Sequence, residues 1–352
     1  MVEKALLQKR PFIIAGPCSA ETEEQVLATA QALKDTGQVD VLRAGIWKPR
    51  TRPGHFEGVG EVGLKWMQRV KNELGLLVAI EVANAKQVEA ALKHDIDIVW
   101  IGARSSANPI SVQEIADSLK GISIPVFIKN PVNPDLQLWI GAVERIEKAG
   151  IENIGLIHRG FSSYENMEFR NKPTWQLAID MKSRFPNYPF LVDPSHICGK
   201  RELLKGVTQN AIDLDYDGVM IESHIHPDEA WSDAQQQITP HDFQELLNNI
   251  IWRKSEQEIG KVEEDLLRFR RLIDELDKEA LRFLGQRMEI ANAIGKLKKE
   301  KQLTILQTNR WQEVLDNLIV IGEGLGLSKA FIQQYFNAIH MESIRHQDKI
   351  MN

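Results

Sequence analysis

Ten residues of this chain carry side chains that could do chemistry together, and they fall into two sets. The first is cationic: Arg43, Lys48, Arg50, Arg104, Lys129 and Arg159. Guanidinium forks match carboxylate and phosphate oxygens and lysine adds a point charge, so six cations suit roughly two phosphates and a carboxylate. The densest part is Lys48-Pro-Arg-Thr-Arg-Pro53, a stiff loop with three cations in five residues. The second set is Cys18, His196, Glu222 and Asp233. Such mixed sulfur, nitrogen and oxygen donors suit a divalent transition metal such as manganese, iron, cobalt or zinc. No two of the four share a metal-motif spacing. Taken singly, Cys18 reads as a small core residue and His196 as a satisfied polar one. Only a fold that gathers distant segments at one rim makes either set a site.

The chain supplies that fold. Eight short runs rich in β-branched and aromatic residues occur between residues 12 and 222: Phe12–Ala15, Val41–Leu42, Leu76–Val82, Ile98–Ile101, Val126–Lys129, Ile154–Ile157, Phe190–Val192 and Gly218–Ile221. Helix-like stretches separate them, among them Glu24–Lys34, Gly60–Leu74, Ala85–Lys93, Val112–Lys120, Pro134–Ala149, Thr174–Arg184 and Arg201–Asn210, with Asp242–Ile251 last. Buried parallel strands have this composition, and eight strand-helix units predict a (β/α)8 TIM barrel. No Gly-x-Gly-x-x-Gly fingerprint follows a strand, which argues against a doubly wound sheet. In such a barrel chemistry sits at the C-terminal ends of the strands. Cys18 follows the first run, Arg43 and Lys48 the second, Arg104 the fourth, Lys129 the fifth, Arg159 the sixth, His196 the seventh, and Glu222 with Asp233 the eighth. Both sets therefore converge.

From Ser255 onward the pattern changes: there is no strand-like run and no proline. Leu266, Ile273, Leu276, Ala280, Leu284, Met288, Ala291 and Ile294 form a helical stripe, predicting one long amphipathic helix over 263–301. Shorter helices follow at about 308–323 and 328–348. The expected organisation is a barrel over 1–252, a linker over 253–262 and a small all-α, three-helix domain over 263–352. The formal charge of −6 argues against nonspecific nucleic-acid binding. Two cysteines indicate no disulfide framework. The charged first ten residues do not read as a signal peptide and no apolar run reaches membrane-spanning length, so the expected location is cytoplasmic.

The runs Gly16-Pro-Cys-Ser19, Leu42-Arg-Ala-Gly-Ile-Trp-Lys-Pro-Arg-Thr51, Ile101-Gly-Ala-Arg104, His158-Arg-Gly-Phe161, Val192-Asp-Pro-Ser-His196 and Ser232-Asp-Ala-Gln-Gln-Gln237 resemble the type I 3-deoxy-D-arabino-heptulosonate-7-phosphate (DAHP) synthases. The resemblance covers residues 12–240. It implies the condensation of phosphoenolpyruvate with erythrose 4-phosphate, the entry step of the shikimate pathway. It further implies that Cys18, His196, Glu222 and Asp233 bind the metal, a Lewis acid for the aldehyde oxygen. Arg104, Lys129 and Arg159 would hold phosphoenolpyruvate, with Lys48 and Arg43 near its carboxylate, and Arg50 and Thr51 would hold the aldose phosphate. Lys48, Lys129 and His196 are the implied catalytic residues. The octulosonate-8-phosphate synthases share the barrel and phosphoenolpyruvate, but their second-strand loop resembles Lys-Ala-Asn-Arg-Thr-Ser, unlike Lys48-Pro-Arg-Thr51. Residues 1–11 are too few for an N-terminal ferredoxin-like regulatory domain, so such control is expected from elsewhere.

The tail has charges on a stretch otherwise apolar enough to pack. Arg287 and Lys298 are eleven apart, about three turns, and so share a face. With Arg270, Arg310, Ser343 and Gln347 they resemble the all-α AroQ-type chorismate mutases, through Arg270-Arg-Leu-Ile-Asp-Glu-Leu-Asp277, Gln286-Arg-Met-Glu-Ile-Ala291, Gly295-Lys-Leu-Lys298 and Met341-Glu-Ser-Ile-Arg-His-Gln347. That implies rearrangement of chorismate to prephenate, with Lys298 and Gln347 as catalytic donors to the ether oxygen and Arg270, Arg287 and Arg310 on the carboxylates. Arg270 and Arg287 lie roughly 25 Å apart along one helix. Arg270 can therefore serve only a partner's site, which implies a homodimer through the tail, or a higher oligomer. The chain departs from the family pattern at Trp311, where an acid is usual, and at Gln307, where Asp is expected. The alternative for the tail is a catalytically weak module that senses prephenate or chorismate and dimerises the chain.

Overall fold

The apolar runs become strands because their branched side chains fill both faces of a sheet that is never exposed. The computed structural model describes residues 4–49, 54–164, 168–253, 264–306 and 308–351. Its strands are β1 (Phe12–Gly16), β2 (Val41–Ala44), β3 (Leu77–Val82), β4 (Ile98–Ile101), β5 (Val126–Lys129), β6 (Ile154–His158), β7 (Phe190–Val192) and β8 (Gly218–Glu222). All pair in parallel in chain order, and β8 returns to β1 in a register running from Phe12 beside Gly218 to Gly16 beside Glu222. The closed barrel predicted from the sequence is present.

Alternation along each strand makes two cores. Phe12, Ile14, Val41, Ala79, Ile98, Trp100, Phe127, Ile157, Leu191 and Met220 fill the barrel interior. Their neighbours Ile13, Leu42, Val78, Val99, Val126, Leu156, Phe190 and Val219 pack outward under the helices. Gly155 makes room for the interior filling, since a Cβ there would lie 2.2 Å from the Phe127 ring.

Helix starts follow local capping chemistry. Thr22, Asn84, Asn108, Asp135 and Thr239 each accept a backbone N–H from the first turn of the helix they precede. Asn108 with Pro109 explains why that helix spans Pro109–Ser118, three residues earlier than apolar periodicity suggests. Gly60–Leu74 is shorter than expected: an α-helix over Val62–Arg69 loosens into a π turn, Val70–Leu74, closed by Gly75 at φ 68°.

The chain divides into two compact units, Met1–Ser255 and Glu256–Asn352; most of the expected linker, from 254 onward, lies outside the described residues. Among its described residues the second unit has three helices, Glu264–Glu300, Thr308–Gly324 and Lys329–Met351. Leu315, Ile319 and Ile332 form its small core, with Trp311, Leu318 and Phe336 against it. Among the described residues the long helix packs by its C-terminal half, where Ala291 is buried. Its N-terminal half leaves Leu266, Leu272, Ile273, Leu276 (64% exposed) and Leu281 (68%) in solvent. The stripe that periodicity predicts is real, and half of it is bare. Among the described residues no helix is long and apolar enough to cross a membrane.

Candidate functional site

Inward register builds the barrel site. Two residues beyond Val41, Ala79, Phe127, Ile157, Leu191 and Met220, the same inward direction delivers Arg43, Glu81, Lys129, Arg159, Asp193 and Glu222. Strand four contributes space: a Cβ on Gly102 would lie 2.0 Å from Glu81 Oε1.

Cys18, Glu222 and Asp233 come together, one donor atom of each lying within 4.8 Å of the others. The Cys18 thiol donates to Asp233 Oδ2 at 3.2 Å. Glu222 Oε1 is buried and accepts no hydrogen bond of good geometry, but Arg43 Nη1 lies 3.2 Å from this same oxygen as an ion pair. His196 stands at the edge of the group, its Nε2 3.8 Å from that oxygen. Burial, then the nearby Glu222 carboxylate, push the Cys18 thiol up to about 12, against the pull of Lys48. Two carboxylates converging on a buried thiol, with an imidazole beside them, fit a divalent ion, which would deprotonate the thiol outright.

Cations line the rest. Lys48 Nζ donates to the Cys18 Sγ at 2.5 Å and to its carbonyl at 3.1 Å. Arg43, 2% exposed, also donates to the Cys18 carbonyl and lies 5.0 Å from the Trp100 ring centre. Lys129 Nζ donates to Asp193 Oδ2 at 2.6 Å, and His196 Nδ1 lies 2.8 Å from the same oxygen. Despite burial, His196 and Lys129 hold the Asp193 carboxyl well below its usual range. Arg159 is buried, donating to Asn171 Oδ1 at 2.9 Å. Arg104 is exposed on the short helix Ala103–Ser106. Arg50 and Thr51 lie outside the described residues. Inspection of strand ends for cations and metal donors missed Glu81, Asp193, Arg170, Asn171 and Gln236. The i+2 inward register marks the first two; Gln236 lies within the quoted run Ser232–Gln237 but had no role assigned, and nothing in sequence marks Arg170 or Asn171.

The tail contains a cavity of about 320 Å³. Arg287, Lys298, Arg310, Ser343 and Gln347 all line it. Arg287 Nη1 donates to Ser343 Oγ, and Lys298 Nζ donates to Gln347 Oε1 at 3.1 Å and to the Ile305 carbonyl at 2.6 Å. Trp311 lies flat on His340, ring centres 3.9 Å apart, on the same wall. Burial, then Arg287 and Lys298, hold His340 below its ordinary value. Arg270 is exposed far along the long helix and is not among the lining residues. Gln307 lies outside the described residues.

Residues 7–258 match the DAHP synthetase I family, and residues 269–348 match chorismate mutase type II. A phospho-2-dehydro-3-deoxyheptonate aldolase of Thermotoga maritima is 32% identical over 239 residues, 68% of this chain and 68% of that protein. A 2-dehydro-3-deoxyphosphooctonate aldolase of Nitratidesulfovibrio vulgaris is 28% identical over 262 residues, 65% of this chain and 87% of that protein. A crystal structure of a T. maritima phospho-2-dehydro-3-deoxyheptonate aldolase (DAHP synthase) matches with a TM-score of 0.60 at 32% identity, covering 67% of each chain.

Proposed function

This chain belongs to the DAHP synthetase I family and carries a chorismate mutase type II domain, and from that premise we propose how its residues divide two reactions, one transferase and one isomerase. The functional division follows 1–252, 253–262 and 263–352. The barrel condenses phosphoenolpyruvate with erythrose 4-phosphate to give the heptulosonate phosphate and inorganic phosphate. The observation that carries this reading is the convergence of the Cys18, Glu222 and Asp233 donor atoms, ringed by Arg43, Lys48 and Lys129.

Cys18, His196, Glu222 and Asp233 would hold a divalent ion, manganese before iron, cobalt or zinc. When bound it would supply Lewis acidity toward an aldehyde oxygen. The protein's own groups do the positioning. Arg104, Lys129 and Arg159 hold phosphoenolpyruvate, Lys48 and Arg43 stand at its carboxylate side, and Arg50 with Thr51 take the aldose phosphate. Charges set before the substrates arrive need no reorganisation as C3 attacks the aldehyde carbon, water adds at C2 and phosphate leaves. Asp193 orients both Lys129 and His196 from one oxygen. Removal of metal followed by add-back of single ions tests the centre: condensation should vanish and return, and activity that survives chelation sinks it. A five-carbon aldose phosphate should be a poor substrate; equal rates would instead favour an octulosonate phosphate synthase.

In the tail, Lys298 and Gln347 meet the ether oxygen of chorismate while Arg287 and Arg310 take its carboxylates, and Arg270 completes the site of a second copy. The bare apolar half of the long helix supports a homodimer through this unit. Leu276→Glu should halve the mass found by sedimentation; an unchanged mass counts against the dimer. The sensing alternative is favoured if the chain binds prephenate without converting chorismate. Prephenate held in the tail would also restrain the barrel. An Arg287→Ala chain should then lose inhibition of condensation by prephenate, and retained inhibition would place control elsewhere.

A further inference from the structure

Arg170 and Gln236 have no part in the roles assigned above, yet they join the two carboxylates of the candidate metal centre. Arg170 Nη1 donates to Asp233 Oδ1 at 2.9 Å and to Gln236 Oε1 at 2.7 Å. Gln236 Nε2 in turn donates to Glu222 Oε2 at 2.6 Å. The result is one chain of hydrogen bonds, Asp233–Arg170–Gln236–Glu222. It occupies one oxygen of each carboxylate and leaves the other turned inward. Asp233 Oδ2 then accepts from the Cys18 thiol at 3.2 Å. Glu222 Oε1 faces inward, buried, 3.2 Å from Arg43 Nη1 and 3.8 Å from His196 Nε2.

Arg170 is itself held. Its backbone N–H donates to the Cys198 carbonyl, and its stem lies so close to Gly199 that a Cβ there would come within 2.6 Å of Arg170 Cβ. The next residue makes a parallel tie: Asn171 Oδ1 accepts from Arg159, and Asn171 Nδ2 donates to the His196 carbonyl at 2.6 Å. The loop after β6 thus reaches across to the segments after β7 and β8 through consecutive side chains.

We propose that Arg170 and Gln236 are positioning residues, a brace that holds the outer oxygens of Asp233 and Glu222 so that the inner pair converges with Cys18 and His196 on a divalent ion. This rests on the metal reading of the donor set given above. Its sign sets it apart from simple electrostatics. Arg170 is a cation beside a cation site, so by Coulomb's law alone its removal would tighten ion binding. Loss of a brace does the reverse, and outer-sphere partners of this kind are worth about 10–100-fold in metal affinity. Gln236 has no charge and can act only through geometry.

The test is titration of the full chain with manganese(II), following the free ion by electron paramagnetic resonance. Parent, Cys18→Ser, Arg170→Met, Gln236→Leu and the double variant are compared, with far-UV circular dichroism as the check on folding. Arg170→Met and Gln236→Leu should each weaken binding by about 10–100-fold. The double variant should be little worse than the weaker single one, because both break one chain of bonds. Binding as tight as or tighter than the parent in Arg170→Met, or within twofold of it in Gln236→Leu, overturns the brace. If Arg170→Met fails to fold, Gln236→Leu decides alone. Parent and Cys18→Ser binding the ion equally would instead overturn the metal reading itself.

Discussion

The barrel site and the tail cavity both gather cations, but they neutralise them differently. In the barrel Arg43 faces Glu222, Lys129 faces Asp193 and Lys48 lies on Cys18, all inside the rim. In the tail Arg287 and Lys298 are held by a hydroxyl, an amide and a backbone carbonyl, and no carboxylate is among the residues lining the cavity. Burial explains the contrast. A fully buried charge must be paired, whereas a half-open one can keep its charge through contact with water. The barrel is therefore a preset array in which most buried cations already face an acidic group. The tail is a cationic slot that a dianion would neutralise on binding. The same difference predicts independence: one reaction should depend on acidic ligands, the other on none.

Four experiments would break or sharpen that contrast. Chelation, or Cys18→Ser, should lower condensation on the order of 10³-fold or more, since an ion supplies several kcal/mol at such a centre. Chorismate conversion by the same chain should not change; a parallel loss would show that the two sites are not chemically separate. Conversely, Lys298→Met should cost the rearrangement about 10²–10³-fold in turnover, with condensation intact when both are assayed on one preparation.

The third experiment probes burial itself. His158 accepts from the Tyr216 hydroxyl at Nδ1 and donates from Nε2 to the Pro173 carbonyl. Burial, opposed by that carbonyl and aided by Arg159, lowers it from 6.5 to about 4. A base depressed in the folded state takes its proton more readily when unfolded. Stability is thus complete above pH 6.5 and is lost as pH falls toward 4, by about 3 kcal/mol in all. Denaturant midpoints of the barrel transition measured from pH 7 to 4 should show that slope, and His158→Gln should flatten it. An unchanged slope would remove His158 from the account. The smallest effect concerns packing: Gly155→Ala drives a methyl into the Phe127 ring and should cost the barrel about 1–3 kcal/mol. A tail transition that moved with it in calorimetry would contradict separate units.

Sequence alone determined the architecture, because strand composition, cap residues and the change in composition after Ser255 are local properties. Eight apolar runs of the right length can bury two faces only by closing or being covered. Most of the candidate metal donors and cations were nameable for the same reason, since they sit at or soon after the end of a run; Asp233, in the loop well beyond the eighth, is the exception. Asp193 and Glu81 were equally available, as they continue the inward register by one step, but charge at a strand end does not by itself reveal what it orients. Tertiary structure alone decided which oxygen meets which partner. That Glu222 Oε1 faces Arg43 and His196 while Oε2 is held by Gln236, that one Asp193 oxygen serves both Lys129 and His196, and that Arg170 reaches Asp233 across 63 residues follow from closure. No local pattern encodes contacts between chain segments so far apart. The bare half of the long helix is the reverse case. Periodicity showed that it should pack, and among the described residues of the second unit its apolar side chains stay exposed.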